Sequence, residues 1–190
     1  MNGPDRQPWR ALLQTSLLAA PAGTAALGDP NRPLLASLLA GQAAGCGCLP
    51  GDLGLGAERH AALLRDYFPG CTLAPAEDSR LDLPEAEELQ RLLRDHLAPD
   101  LISAAWMADI LTAACAGPDH LWQDLGFTSR AELSQLMQVN FPELAALNSG
   151  DMKWKKFLYR QFCSREGIYV CPAPSCGVCK DFAKCFGPEN

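Results

Sequence analysis

From Leu101 to Ala116 the chain is apolar on nearly every side, and Asp109 is the one charged interruption. A segment of this kind has to be covered all round, so it predicts the central helix of a small bundle with the other elements packed about it. It is too short and too polar to span a hydrocarbon layer of ~30 Å. Gly117 and Pro118 end it, because neither residue continues a helix well.

The flanking sequence supplies the covering elements. Helical patterns run over 8–19, 33–41 and 55–68, and Phe68-Pro69-Gly70 stops the last of these. Trp9, Leu12, Leu13, Leu17 and Leu18 recur at helical spacing in the first. Pro84 and Glu85, Glu87 and Glu88 suit the positive end of a helix whose stripe is Leu89, Leu92, Leu93 and Leu97. Ser129 and Glu132 fit a capping box ahead of Leu133, Leu136 and Met137, a short turn is expected at 142–148, and Asp151 opens a last helix. Trp106, Trp122 and Trp154 read as core anchors. With no run of alternating strand residues and no internal repeat, the fold class is all-α: a small irregular helical bundle with a Cys-rich C-terminal metal-binding loop.

Charge divides the chain. Residues 151–190 carry seven basic and four acidic side chains, a net of +3; the chain totals of 16 and 22 then leave 9 basic and 18 acidic in 1–150, a net of -9. The expected organisation is an acidic helical body over 1–150 and a basic helix with a cysteine tail over 151–190, together one structural domain. An overall charge of -6 and so small a basic patch exclude a nucleic-acid binder as the favoured class, and no membrane segment is expected. Arg6 and Arg10 ahead of Ala11–Ala20 faintly resemble a secretory signal, but Gln14, Thr15 and Ser16 break the apolar run, so a reducing, cytoplasmic setting is expected.

Four of the nine cysteines, Cys171, Cys176, Cys179 and Cys185, fall as C-x4-C-x2-C-x5-C. Pro172, Pro174 and Gly177 between them bend the chain, so four soft thiolates can wrap one centre. Disulfides are disfavoured in a reducing compartment and by the odd cysteine count. Structural zinc usually takes two C-x2-C hairpins, of which one is present. The first three cysteines follow the order known from plant-type ferredoxins, although there the fourth lies far away, so an iron-sulfur cluster leads on spacing.

The cysteine motif ending in Phe186-Gly187, the string Asp151-Met-Lys-Trp-Lys-Lys-Phe157 and the stretch Tyr159 to Cys163 resemble the NifQ family of nitrogen-fixation proteins. Asp119 to Gly126 and Arg130 to Leu133 are similar to it as well, whereas the first hundred residues match in length and helical character. The resemblance implies a carrier that processes molybdate and donates molybdenum for the nitrogenase iron-molybdenum cofactor, an accessory protein and not an enzyme. Its cargo would be a molybdenum-iron-sulfur cluster of Mo-3Fe-4S type or the iron-sulfur precursor. Its partners would be the scaffold complex NifEN and the nitrogenase iron protein NifH, and its ligands Cys171, Cys176, Cys179 and Cys185.

Several residues carry two readings. Lys153, Lys156 and Arg160 are expected as one basic stripe on the last helix, either steering an anionic cluster and partner or simply forming its solvated face. Cys163, three residues after Arg160, is expected on that basic side as an extra ligand, against the plainer reading of a small packed apolar residue. His120 is a candidate molybdenum ligand or a first-turn residue packed on Trp122. Cys46 and Cys48, between glycines, are not part of the family pattern, and two thiolates alone make a weak site. Cys115 reads as core, and His60 and His96 as surface positions. No G-x-S-x-G, H-E-x-x-H or phosphate-cradling glycine loop occurs. An iron-sulfur electron carrier and a zinc-stabilised interaction module stay as the other classes.

Overall fold

The computed structural model describes residues 6–73, 80–165, 167 and 182–187. These form ten α-helices and one 3-10 helix, Thr24–Ala26, with no strand among the described residues. In chain order the helices are α1 Arg6–Ala19, α2 Asn31–Ala43, α3 Ala57–Tyr67, α4 Ala86–Arg94 and α5 Ala104–Cys115. They continue as α6 Leu121–Asp124, α7 Arg130–Asn140, α8 Pro142–Leu147, α9 Trp154–Arg165 and α10 Phe182–Phe186.

Helix α5 is central. Met107, Ala108, Ile110, Leu111 and Ala114 are fully buried, and α4, α6 and α7 pack against it. Asp109, on the same helix, is 3% exposed. Its carboxylate is compensated by Arg59, by Gln90 Nε2 at 2.5 Å and by Arg94 Nη2 at 2.9 Å, which is what a buried charge requires. A second buried polar knot joins α2, α5 and α7: Asn31 Nδ2 donates to Asn140 Oδ1 at 2.5 Å and is 2.8 Å from Ser103 Oγ, and Asn140 Nδ2 returns a bond at 2.8 Å.

The apolar residues of α1 are covered unevenly: Leu17 is 1% exposed, but Trp9 is 49% and Leu12 70% exposed, with α2 packed on the Leu17 side of the helix. Two local expectations are corrected. Ser129 makes no capping bond; instead Thr128 donates through both its N–H and its hydroxyl to Glu132 Oε2 at 2.6 Å, so the acidic end of the box is met one residue earlier. The helix expected to open at Asp151, α9, opens at Trp154 instead, and Asp151 adopts φ 54° in the preceding turn. Helix α9 lays Trp154, Phe157, Leu158 and Phe162 into the core beside α4. Each such fully buried side chain stabilises the fold by ~1.5–3 kcal/mol. Trp154 is deeply buried, while Trp106 and Trp122 pack partly buried against the same core.

Candidate metal centre

The turn that leads into α9 is tied down on three sides. Asn148 accepts from the Met152 N–H at 2.9 Å and donates to the Met152 carbonyl at 2.9 Å. Arg130 Nη1 lies 2.8 Å from Asp151 Oδ2, and its Nη2 donates to the Met152 carbonyl at 3.3 Å. The Lys153 N–H donates to the Cys185 carbonyl at 2.8 Å. That last bond docks α10 on the mouth of α9, and a Cβ built at Gly150 would lie 3.4 Å from Phe186 Cε1. Cys185, half-buried, is therefore held at a fixed place on the body. The other three sequence-predicted ligands, Cys171, Cys176 and Cys179, lie outside the described residues.

The basic residues are redistributed relative to the expected stripe. Lys153 precedes α9 and is half-buried against α10, whereas Lys156 and Arg160 are exposed on the face of α9 opposite its core residues. Cys163 falls on the Lys156 and Arg160 side of α9 as expected, but it is buried there: it is 7% exposed and packed with the core residues, and burial pushes its thiol above the ordinary value, with Glu85 adding to the shift. The helix persists to Arg165, so Cys163 stays within one turn of Arg160 on the same side, and its burial comes from what packs over that end of α9.

His120, half-buried, precedes α6, and Gln123 Oε1 accepts from its backbone N–H at 3.2 Å. The same loop is gripped by a residue that sequence reasoning missed. Lys155 Nζ reaches the carbonyls of Gly117 at 2.8 Å and Asp119 at 3.0 Å and the Asp124 carboxylate at 2.5 Å. Lys155 and Asp124 have side chains 21% and 2% exposed, so this pair is mostly shielded from water. Periodicity placed Lys155 beside Trp154 on α9 but could not reveal a partner 31 positions away.

Cys46, Gly47 and Cys48 form a turn laid on α6, in which the Cys48 N–H donates to the Asp124 carbonyl at 2.9 Å. Burial, and then the Asp124 charge, push the Cys48 thiol up to about 11, and burial pushes Cys115 up to about 12 although Lys155 pulls the other way. Both are poor thiolates near neutrality. His60, expected at the surface, is half-buried with an unpartnered Nε2, and burial lowers its pKa. His96 Nδ1 sits 2.8 Å from the Leu92 carbonyl.

Among the described residues no three His, Cys, Asp or Glu side chains converge on one metal position. Cys185, His120 and Cys163 thus do not make a site by themselves. The donor set of the full motif, four soft thiols, suits an iron-sulfur or other metal-sulfide cluster or zinc, and not a hard cation.

No solved structure matches the chain. It is 41% identical over 174 residues to Protein NifQ of Azotobacter vinelandii, an alignment covering 84% of this chain and 89% of that one. It is 38% identical over 157 residues to Protein NifQ of Rhodobacter capsulatus, covering 82% and 87% respectively. A Protein NifQ homolog of Sinorhizobium fredii is 40% identical over 129 residues, 66% of this chain and 56% of that one. The NifQ family model matches residues 34–187, from α2 through α10 and so well beyond the C-terminal strings that first suggested it. The chain belongs to the NifQ family.

Proposed function

We propose that this nitrogen-fixation protein carries molybdenum in a mixed molybdenum-iron-sulfur cluster and donates it for assembly of the nitrogenase iron-molybdenum cofactor. Family membership supports the setting, and the observation that carries the reading is the C-x4-C-x2-C-x5-C motif with its last cysteine docked at the mouth of α9. The chemistry to be done is an exchange of oxygen for sulfur ligands, in which the oxo groups leave as water after protonation and a separate electron donor reduces the molybdenum(VI). Molybdate is a hard oxyanion, whereas molybdenum in the cofactor is bridged to iron through sulfide. A three-iron cluster with an open corner takes molybdenum through its sulfides, so the protein supplies few ligands and holds them loosely enough for release.

In this reading the thiolates of Cys171, Cys176, Cys179 and Cys185 hold the cluster and His120 supplies a nitrogen donor to molybdenum. Lys153, Lys156 and Arg160 face the anionic cargo and an acidic partner surface, lowering the cost of its charge and steering molybdate. The recipients are NifEN and NifH, and the protein acts in the cytoplasm as an accessory protein, not an enzyme.

Anaerobic purification followed by analysis for molybdenum, iron, zinc and sulfide tests this, alongside a variant with Cys176→Ala and Cys179→Ala. Molybdenum with about three irons, lost in the variant, is the expected result. Iron that cycles one electron without molybdenum uptake overturns it in favour of an electron carrier, and one zinc per chain without sulfide overturns the cluster assignment itself.

A further inference from the structure

Helix α1 is fixed to the bundle along one side. Leu17 is buried there, the buried Arg10 donates from Nη2 to Ser37 Oγ of α2 at 3.0 Å, and Arg32 in the first turn of α2 holds the Leu17 and Ala20 carbonyls at 3.3 Å and 2.6 Å. Helical spacing places Pro8, Trp9, Leu12, Thr15, Ser16 and Ala19 on the opposite side, and all six are exposed. The Thr15 hydroxyl donates to the Ala11 carbonyl at 2.9 Å, so it needs no outside partner. None of the six is charged, although one residue in five of the chain is. A solvated helix face normally carries charge, so a rigid strip without any reads as a contact surface.

We propose that this strip is a self-association surface, on which a second copy of the chain lays its own α1 antiparallel about a two-fold axis beside Leu12. Bulk is graded along the strip, with Pro8, Trp9 and Leu12 in its first half and Thr15, Ser16 and Ala19 in its second. An antiparallel pair therefore sets Trp9 over the partner's Thr15 and Pro8 over the partner's Ser16, large on small, while the two Leu12 side chains meet on the axis. Charge selects the same occupant. The chain is -6 overall, so two copies repel over much of their surfaces, and an uncharged strip lets them meet without taking a charge from water. The match to the NifQ model begins at residue 34, after α1, so the strip lies outside the matched region, whereas every copy of this chain carries it.

Area sets the strength. A helix of 14 residues is ~21 Å long, and a strip ~10 Å wide buries roughly 300–400 Å² on each copy, short of the ~800 Å² per partner of a stable complex. The dimer is therefore weak, with a Kd on the order of 0.1 mM, and dilute protein is monomeric. Sedimentation velocity of the full chain from about 5 μM to about 500 μM tests this, under anaerobic, reducing conditions that keep cysteines from linking copies. The average mass is expected to rise from 20.4 kDa towards twice that value. Leu12→Glu sets two like charges on the axis and should abolish the rise, while the urea midpoint of dilute protein stays unchanged. Leu12→Lys should also be monomeric. An equimolar mixture of the two variants should regain association, because residue 12 meets its own counterpart.

A wild type that stays at 20.4 kDa throughout overturns the inference, and so does a dimer that survives Leu12→Glu, which would place the contact elsewhere. A mixture that stays monomeric overturns the antiparallel arrangement about Leu12. Binding of the monomer to phosphatidylglycerol vesicles, lost in Leu12→Glu, would assign the strip to a lipid surface and overturn it as well. The molybdenum reading stands or falls separately from all of these outcomes.

Discussion

Lys155 Nζ and Asp124 Oδ2 lie 2.5 Å apart with the aspartate 2% exposed, so one ion pair joins α9 to the loop between α5 and α6. Breaking such a pair from one side leaves an uncompensated charge in a poorly solvated place. Lys155→Met is expected to cost about 3 kcal/mol of unfolding free energy, Asp124→Asn less, and the two together less than the sum, with a coupling of at least ~1 kcal/mol. Urea unfolding of the four proteins in a double-mutant cycle measures it. Additive losses would mean that the two residues do not act as a pair.

Gly47 is a place where a side chain has no room. Its φ is 79°, and a Cβ there would fall 2.6 Å from the Gly126 nitrogen and 2.8 Å from the Gln123 carbonyl oxygen. Both obstacles are backbone, so neither can swing aside. Gly47→Ala is expected to destabilise the fold by about 2 kcal/mol or more, whereas Gly28→Ala, with a similar φ of 78° but nothing within 4 Å, should cost about 1 kcal/mol. Thermal unfolding of the two variants gives the comparison.

Cys48 should be a slow nucleophile in the folded protein. Burial, reinforced by the Asp124 charge, moves its thiol from 9.0 to about 11, which lowers the thiolate fraction about 100-fold near neutral pH. Alkylation with iodoacetamide, followed by peptide mass mapping of native and urea-unfolded chains, should show that difference at Cys48. Equal rates in the two states would contradict it.

Glu132 ties three elements together, accepting from Ser37 of α2 at 2.6 Å and from Thr128 at 2.6 Å. Burial opposes its ionisation, yet those hydrogen bonds and the nearby Arg10 prevail and hold the carboxyl below its ordinary value of 4.5. A folded pKa below the unfolded one means that the stabilisation is present above about 4.5 and fades as the pH falls through that value and below it. Glu132→Gln should therefore be less stable than wild type near neutrality, with the gap narrowing in acid. Urea midpoints at several pH values test this, and a gap that widens in acid would refute it.

The α1 stripe offers a contrast between pattern and placement. Leu17 is 1% exposed and Leu12 is 70% exposed although both belong to the same helical repeat. Leu17→Ala is expected to cost about 2–4 kcal/mol and Leu12→Ala less than about 0.5 kcal/mol, read from urea unfolding. Similar losses at both positions would show that the outer side of α1 is covered in solution.

Local chemistry made much of this molecule legible in its sequence. Helix formation depends on hydrogen bonds between residues four apart, so apolar spacing and the breaks at Pro69, Gly70, Gly117 and Pro118 locate α3 to α5 without knowledge of the fold. The cysteine spacing and the Asp151 to Phe157 string are likewise linear features, and they led to the family. Tertiary structure decided which sides are covered and which distant groups meet. Trp9 is half exposed because it lies off the side of α1 that packs on α2, and Cys163 is buried because neighbouring elements cover its side of α9, which spacing along α9 alone does not show. Asp109 is tolerated in the central helix because Arg59, Gln90 and Arg94 arrive from other elements. Lys155 and Asp124 look like two more surface charges until the packing of α9 against the loop takes both from water; the cost of a buried charge then makes each the other's necessary partner.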